Sequence, residues 1–311
     1  MASPSIIPIR QPSGCAIGVD VGGTKIAAGV VTFPDATVLA RHTVPTDPHR
    51  GGEAVLADVE RLVERLKLKA KVAGLSPTAL GVGLCEIVVR SGTIASANAI
   101  AWENLPVQER LSRLLPTVLE ADVRAAARAE AWFGAGQGCQ TFLYVTVGTG
   151  IASCLVMDGE PFAGARGATG TMASGPLPCF SGDSEVVQPS LEDLASGPAL
   201  VARFNALGGS ALSGRDVLVA ARAHDNAAVE VVCSAGAALG AVIGTLVNVL
   251  DPERVVIGGG LGLSEGPYRD ALINAMRWHI WWPGHRDVRV VSAATGTDAG
   301  VIGAAALSAG R

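Results

Sequence analysis

Residues 15–31 read CAIGVDVGGTKIAAGVV, in which two apolar runs flank an aspartate, two glycines and a Thr-Lys pair. The runs at 16–20 and 25–32 are rich in β-branched residues and alanine, which favours two strands joined by a Gly-Gly hairpin. Glycine lets backbone N–H groups approach an anion closely and adopt positive φ, which is the physical basis of phosphate-binding nests. The stretch therefore predicts a hairpin whose tip is a candidate phosphate site.

The same arrangement of strand, glycine tip and strand recurs at 141–162, TFLYVTVGTGIASCLVMDGEPF, and a third glycine cluster, 258–262, follows the run PERVVI. None of the three clusters has the P-loop or GxGxxG spacing. One such cluster alone is more often a plain turn, but three that each follow an apolar strand favour a ligand site. Helical spacing of apolar residues predicts helices over 51–73 and 227–250. Two hairpin-led halves predict an α/β protein with two similar lobes around a cleft.

Composition excludes several classes of protein. The chain has 311 residues, 49% of them hydrophobic, and a net charge of −4. No basic block is longer than KLKAK (67–71), which argues against nucleic acid as a partner. The six cysteines are scattered and never spaced CxxC, as in reduced cytoplasmic proteins. The run at 231–250 is interrupted by Gly and Ser and reads as a buried helix, so no membrane span is expected. Residues 1–15 read as a disordered lead-in.

The order of six motifs resembles the ROK family of sugar kinases, in the actin/hexokinase/Hsp70-like ATPase superfamily. The resemblance covers about residues 16 to 307 and rests on DVGGTK (20–25), EADVRAAARAE (120–130), VTVGTGI with GARGATG (145–151 and 164–170), SLEDLASGPAL (190–200), DPERVVIGGGL (251–261) and TDAGVIGAA (297–305). It implies a two-lobed actin-like, ribonuclease H-like fold with a central cleft. The small N-terminal lobe would span 16–121, with a helix at 297–311 packing back on it, and the large lobe 122–296. No N-terminal winged helix precedes the first motif, which favours a kinase over a ROK repressor.

The resemblance implies ATP and Mg²⁺ as cofactors. It assigns Mg²⁺, held through water, to Asp20. It assigns the ATP phosphates to the first two glycine turns and the edge of the adenosine to the third, which gives Gly22, Gly23, Thr24, Lys25, Gly148, Thr149, Gly150, Gly258, Gly259 and Gly260.

The resemblance also assigns the base that accepts the sugar hydroxyl proton to Asp122. From the residues alone, an N-cap for the amides of Val123–Ala125 is the favoured reading of Asp122. The implied acceptor ligands are Asn98, Asp122, Thr171, Ser174 and Glu192.

Several of these positions depart from the family pattern. Thr171 and Ser174 stand where ROK hexokinases have Glu and His, and Ala121 stands where they have Asn. Glu192 is either the surviving pocket carboxylate or a helix-start capping residue beside Ser190. Glu86 is either a replacement carboxylate or a solvated strand end, and the second reading is favoured.

The zinc cluster of the family, CxCGxxGC, is replaced here by CFSGDSEVVQPS (179–190). Only Cys179 remains as a thiol ligand, with Asp183 and Glu185 as solvated acids. A structural zinc site needs about four ligands, so we expect none here.

These observations predict a cytoplasmic, ATP-dependent kinase that phosphorylates a primary (6-type) hydroxyl of a hexose, amino-hexose or cyclitol. A carboxylate holding a sugar hydroxyl is worth ~1.5–3 kcal/mol against ~0.5–1.5 for a neutral partner, so the grip on glucose should be weakened. Similar kinases of antibiotic pathways act on kanosamine or C7-cyclitols. The alternative is a non-catalytic sugar or nucleotide sensor, against which the retained Asp20, glycine turns and Asp122 argue. The family commonly forms dimers or tetramers, so we expect a homo-oligomer, a dimer, with Trp278, Trp281 and Trp282 at a packed helix end or dimer contact.

Overall fold

The computed structural model describes residues 12–102, 104–177 and 188–310. The strands, in chain order, are β1 (Gly14–Val21), β2 (Lys25–Phe33), β3 (Thr37–Pro45), β4 (Leu80–Leu84), β5 (Thr117–Ala121), β6 (Thr141–Val147), β7 (Ile151–Met157), β8 (Glu160–Pro161), β9 (Arg254–Gly258) and β10 (Arg289–Ser292). The α-helices are α1 (Gly52–Val72), α2 (Val107–Ser112), α3 (Asp122–Phe133), α4 (Leu191–Ala195), α5 (Gly197–Ala206), α6 (Gly214–Arg222), α7 (Asn226–Leu250), α8 (Pro267–His279) and α9 (Ala299–Ala309).

The chain divides into two compact units. The first comprises residues 1–140, 156–169 and 294–311, and the second comprises 141–155 and 170–293. The first unit therefore continues past the boundary expected at residue 121, because α3 packs against α9 on the sheet of this unit. The lead-in expected over 1–15 lies outside the described residues as far as residue 11, and β1 already begins at Gly14.

The sheet of the first unit has the order β3-β2-β1-β4-β5. β1 pairs antiparallel with β2 across the Gly-Gly tip, which confirms the predicted hairpin, and parallel with β4, which pairs parallel with β5. The apolar side chains of β1 are buried. Helix α1 packs on the sheet with apolar residues that recur at helical spacing between Val55 and Ala70. This arrangement brings the carboxyl ends of β1, β4 and β5 to one edge of the sheet.

Two strand glycines let the C-terminal helix α9 lie directly on this sheet. A Cβ on Gly18 would lie 1.9 Å from the carbonyl oxygen of Val301, and one on Gly81 would lie 1.8 Å from that of Ala304. Real Cβ atoms never approach backbone oxygen so closely, so any larger residue would push α9 away. The helix expected at 297–311 begins at Ala299, because Gly296–Asp298 form a 3₁₀ turn.

The second sheet has the order β10-β9-β6-β7-β8, in which β6, β9 and β10 are parallel. The second unit contains β10, β9, β6 and most of β7. Its long helix α7 confirms the helix predicted over 227–250. Gly236, Gly240 and Gly244 recur every four residues along it, and a Cβ at each would meet a backbone oxygen of α8. By length and composition α7 is the one described helix that could cross a membrane, but half of its most apolar window is buried.

Two mixed sheets with helices packed on them confirm the α/β fold class. Strand β4 ends at Leu84, because the chain turns there into a segment closed by a bridge between Val88 and Ile94. The tryptophans expected at a packed helix end are not packed: Trp278 and Trp281 are both 83% exposed.

Candidate functional site

Asp20 and Asp122 lie at the same edge of the first sheet. Asp20 pairs with Gly83 of the neighbouring strand, and Gly83 pairs with Glu120 of the next. Two strand spacings separate Asp20 from the end of β5, roughly 10 Å between Cα atoms. A Cβ on Gly83 would lie 3.4 Å from the Cα of Asp122, so the missing side chain leaves α3 room to start against the sheet.

Asp122 is the first residue of α3 and does not cap it. The N-cap is Ala121, whose methyl side chain cannot accept a hydrogen bond, so Asp122 does not occupy the N-cap position, although it accepts one of the amides that the capping alternative named. The Val123 N–H donates to Oδ1 of Asp122 at 2.6 Å. Within the described part of the chain no group donates to Oδ2. One oxygen is thus anchored while the other stays available to a ligand.

Both aspartates hold protons more tightly than usual, although each keeps some contact with solvent. Burial raises the pKa of Asp20 to about 6, with Lys25 opposing the shift. Burial, and then the charge of Asp20, raise the pKa of Asp122 to about 7, while the Val123 N–H lowers it. A carboxyl with a pKa near the working pH is suited to accept a proton and release it again.

The hairpin tip at Gly22–Lys25 is held by its own backbone and by Thr46. The Gly22 N–H donates to the carbonyl oxygen of Lys25 at 3.0 Å, and the Thr46 hydroxyl donates to that of Gly22 at 2.6 Å. Neither tip glycine has positive φ. The nest expected from positive φ is therefore not the geometry of this tip.

The segment 96–100, which we call the Asn98 loop, lies beside the tip: a Cβ on Gly23 would be 3.8 Å from that of Ala99. Glu86, expected to be a solvated strand end, is only 6% exposed and accepts hydrogen bonds from this loop. That expectation was wrong, because the donors that bury Glu86 lie ten to fourteen residues further along the chain. The Asn98 side chain is exposed, and its amide meets no partner within the described residues.

Arg124 lies beside the candidate base and was not singled out by the sequence. Its guanidinium is 2% exposed and donates to the carbonyl oxygens of Val88 and Gly167, the latter at 2.7 Å, and to Glu120. It ties the start of α3 to the chain that follows β4. The only sequence signal was an arginine two residues after the candidate base.

The two glycine turns of the second unit follow neighbouring parallel strands, since Thr146 of β6 pairs with Gly258 of β9. The Leu261 N–H donates to the carbonyl oxygen of Val147, which draws the third turn around the end of β6. Of the assigned glycines only Gly259 has positive φ, at +80°, and a Cβ there would lie 2.3 Å from the Val147 oxygen. The structure thus places Gly148–Gly150 and Gly258–Gly260 at one sheet edge.

Glu192 belongs to this second cluster and does not cap α4. The capping box joins Ser190 to Asp193, so the capping alternative for Glu192 is wrong. The Ile151 N–H donates to Oε1 of Glu192 at 2.7 Å, and no group of the described chain donates to Oε2. The Glu192 N–H donates to the carbonyl oxygen of Ala173, which brings the exposed Thr171 and Ser174 to the same place.

No group of three or more His, Cys, Asp or Glu side chains able to hold a metal occurs in residues 12–102, 104–177 and 188–310. Cys179, Asp183 and Glu185 lie outside the described residues. Among the five cysteines that are described no disulfide forms.

The ROK family profile matches residues 16–311. The chain belongs to the ROK family. It is 31% identical to a glucokinase of Streptomyces coelicolor over 95% of this chain and 98% of the relative, and 29% identical to an N-acetylmannosamine kinase of Citrobacter koseri over 94% and 98%. The crystal structure of a ROK family glucokinase from Streptomyces griseus in complex with glucose and AMPPNP superposes with a TM-score of 0.80 at 28% identity, covering 95% of this chain and 99% of that one.

Proposed function

We propose that this ROK protein transfers the γ-phosphoryl group of ATP to the primary hydroxyl of a hexose, amino-hexose or cyclitol, with Asp122 as the base. The family and the two kinase relatives identify the protein as a sugar kinase, a phosphotransferase acting on an alcohol group. The observation that carries the proposed mechanism is the half-anchored carboxylate of Asp122, with its pKa of about 7.

In the proposed reaction the open oxygen of Asp122 accepts the proton of the acceptor hydroxyl. The hydroxyl oxygen then forms its bond to the γ-phosphorus while the bond between that phosphorus and ADP breaks, and ADP leaves with the bonding electrons. Such transfers depend mainly on positioning and charge neutralisation. Asp122 is well placed for the first step, because the bond from the Val123 N–H fixes its orientation.

Asp20 meets the requirements of a Mg²⁺ site. Its carboxylate is an oxygen donor, Mg²⁺ prefers such ligands, and no hydrogen bond to it occurs in the described chain. A Cβ on Gly300 would lie 2.4 Å from Oδ2 of Asp20, so only glycine leaves this carboxylate its position. Bound through water at Asp20, Mg²⁺ would neutralise charge on the phosphates. Backbone N–H groups of the three glycine turns, with Thr24, Lys25 and Thr149, would hold the phosphates and border the adenosine.

For the acceptor we propose hydroxyl contacts from Asn98, Thr171, Ser174 and the open Oε2 of Glu192. Asn98, Thr171 and Ser174 are neutral, whereas Glu192 is a carboxylate with an open oxygen. A carboxylate is the stronger partner for an ammonium or hydroxyl donor. The open carboxylate oxygen therefore favours an amino-hexose, such as kanosamine, over glucose, and a C7-cyclitol stays among the proposed acceptors.

The first experiment measures ADP release with Mg·ATP on glucose, mannose, N-acetylmannosamine, glucosamine, kanosamine and a C7-cyclitol. We expect turnover on at least one of them and a loss of about 10²–10⁴ in kcat for Asp122→Asn, the usual worth of a general base. Turnover that survives this substitution would remove Asp122 as the base. If no acceptor supports turnover while ATP still binds in calorimetry, the protein is a sensor.

A second experiment compares two adjacent acids of α4. Glu192→Gln keeps the shape but weakens the proposed acceptor bond, so the acceptor KM should rise about tenfold. Asp193→Asn removes only the cap with Ser190 and should lower thermal stability while the acceptor KM stays unchanged. Equal acceptor KM values for the two variants would exclude Glu192 from the acceptor site.

We extend the proposal to a cytoplasmic homodimer without nucleic acid, membrane or zinc. The exposed Trp278, Trp281 and Trp282 support a protein contact at the end of α8, since large apolar side chains seldom cluster on a free surface. Sedimentation equilibrium of the protein and of Trp281→Ser tests this: a monomeric wild type would contradict it.

A further inference from the structure

Glu86 uses all of its hydrogen-bonding capacity within its own segment. The N–H groups of Ala99 and Ile100 donate to Oε1 at 2.8 and 3.0 Å, and the Asn98 N–H and the Ser96 hydroxyl donate to Oε2, the former at 2.9 Å. A carboxylate has about four lone-pair sites, and all four are taken. Glu86 therefore has no acceptor site left for a sugar, in contrast to Asp122 and Glu192, which each keep one oxygen open.

Glu86 also has a defined place between two parts of the site. It follows β4 by two residues, and its charge is among the causes of the raised pKa of Asp122. The four groups that it holds form the Asn98 loop, whose Ala99 lies against the hairpin tip at Gly23. The Ser96 hydroxyl oxygen additionally accepts the Ile87 N–H at 2.9 Å, which closes the loop onto the chain next to Glu86.

We propose that Glu86 is a positioning residue that fixes the Asn98 loop and so determines how Asn98 meets the acceptor. The inference rests on the proposed kinase function and on the role assigned there to Asn98. The loop can offer all four donors to the buried carboxylate in only one arrangement, since moving any of them away would leave a buried carboxylate oxygen short of a hydrogen bond. The loop is thereby held without any contact between Glu86 and substrate.

The decisive variant is Glu86→Gln, which keeps the shape but puts an NH₂ group against N–H donors whichever way the amide is turned. We expect the acceptor KM to rise about tenfold, while the KM for ATP changes less than about twofold. Glu130→Gln is the matched control. Glu130 is fully buried and clamps Ala135, Ala294 and Thr295 through backbone N–H groups, with the Thr295 hydroxyl as well, but it lies at the other end of α3. The Glu130→Gln variant should have a lower free energy of unfolding and an unchanged acceptor KM.

A double-mutant cycle separates positioning from general structural damage. If Glu86 acts through Asn98, Glu86→Gln should raise the acceptor KM little further in an Asn98→Ala background, whereas independent effects would multiply. Multiplied effects, or an equal rise in the KM for ATP, would overturn the inference. If Glu86→Gln does not fold, the same cycle is run with Ser96→Ala, which removes one donor and should give a smaller rise. A wild-type protein that turns over no acceptor refutes the proposed function instead, which keeps the two failures distinct.

Discussion

Substitution of Asp122, the proposed base, by asparagine should stabilise the protein, and more so at pH 8 than at pH 5. The pKa of Asp122 rises from the ordinary 3.8 to about 7 in the folded chain. The folded state therefore keeps this proton over a pH range in which the unfolded chain has already released it. Folding stability from this group is complete below pH 3.8, falls as the pH rises, and has been lost by pH 7.

The size of the effect follows from the same two pKa values. Since each pKa unit corresponds to about 1.36 kcal/mol, the raised pKa of Asp122 costs roughly 4 kcal/mol of folding free energy at pH 8, where the folded carboxyl is ionised. At pH 5 the cost is about 2 kcal/mol, because the folded carboxyl stays protonated while that of the unfolded chain ionises. Solvent reaches part of the carboxylate, which reduces both figures. Asparagine cannot ionise, so Asp122→Asn should raise the free energy of unfolding by about 2 kcal/mol more at pH 8 than at pH 5.

The assay is urea denaturation at the two pH values, without nucleotide or Mg²⁺, because ligands that bind the folded state add their own stabilisation. Asp216→Asn serves as the control. Its carboxylate caps α6, and hydrogen bonds from Ser213 and Leu212 lower its pKa below 3.8. It is ionised in both states at pH 5 and at pH 8, so its loss should destabilise equally at both. If Asp122→Asn changes the free energy of unfolding by the same amount at pH 5 and at pH 8, as the control does, the argument that burial and Asp20 disfavour the charged form of Asp122 is refuted.

Three other results are expected. Gly303→Val should lower the free energy of unfolding by about 3 kcal/mol, because a Cβ there would lie 1.7 Å from the Ala125 carbonyl oxygen. Gly310→Ala is its control and should be neutral in the same denaturation experiment, because its Cβ would lie 3.4 Å from the Ala306 carbonyl oxygen. Arg124→Ala should cost about 3 kcal/mol in that experiment by leaving buried carbonyl groups without donors, and Arg124→Lys should recover only part. Treatment with a zinc chelator followed by excess Mg²⁺ should leave kinase turnover intact, and stoichiometric zinc by mass spectrometry would contradict this.

Local pattern was enough to predict the elements that carry the phosphate-binding candidates. The hairpin of β1 and β2, the later turn between β6 and β7, and α7 all follow from apolar runs and glycines close together in sequence. Their hydrogen bonds join neighbours, so the information lies within a short window. The positions of Asp20 and the glycine turns in the fold followed from the same windows.

Side-chain roles at the ends of elements were less predictable, because they depend on groups far apart in sequence. Glu86 read as solvated, yet it is buried by donors of residues 96–100. Asp122 read as a possible cap, and a difference of one position in where α3 starts made Ala121 the N-cap instead. In α4 the cap fell to Asp193, one residue after Glu192. An error of one residue at a helix start changes which side chain is free to bind.

The number of hydrogen-bond donors around a carboxylate distinguishes a supporting residue from a candidate ligand-binding residue better than its position in the sequence does. Glu86 accepts four hydrogen bonds and is closed to ligands, whereas Asp122 and Glu192 each accept one and keep an oxygen open. This chain has Thr171 where the family pattern has a carboxylate, and it has an additional carboxylate at Glu86. In the proposal above, Glu86 supports the site and does not contact the acceptor. On the proposed assignments, divergence from the family changes both what contacts the acceptor and what holds the contacting loop, and acceptor specificity should depend on both.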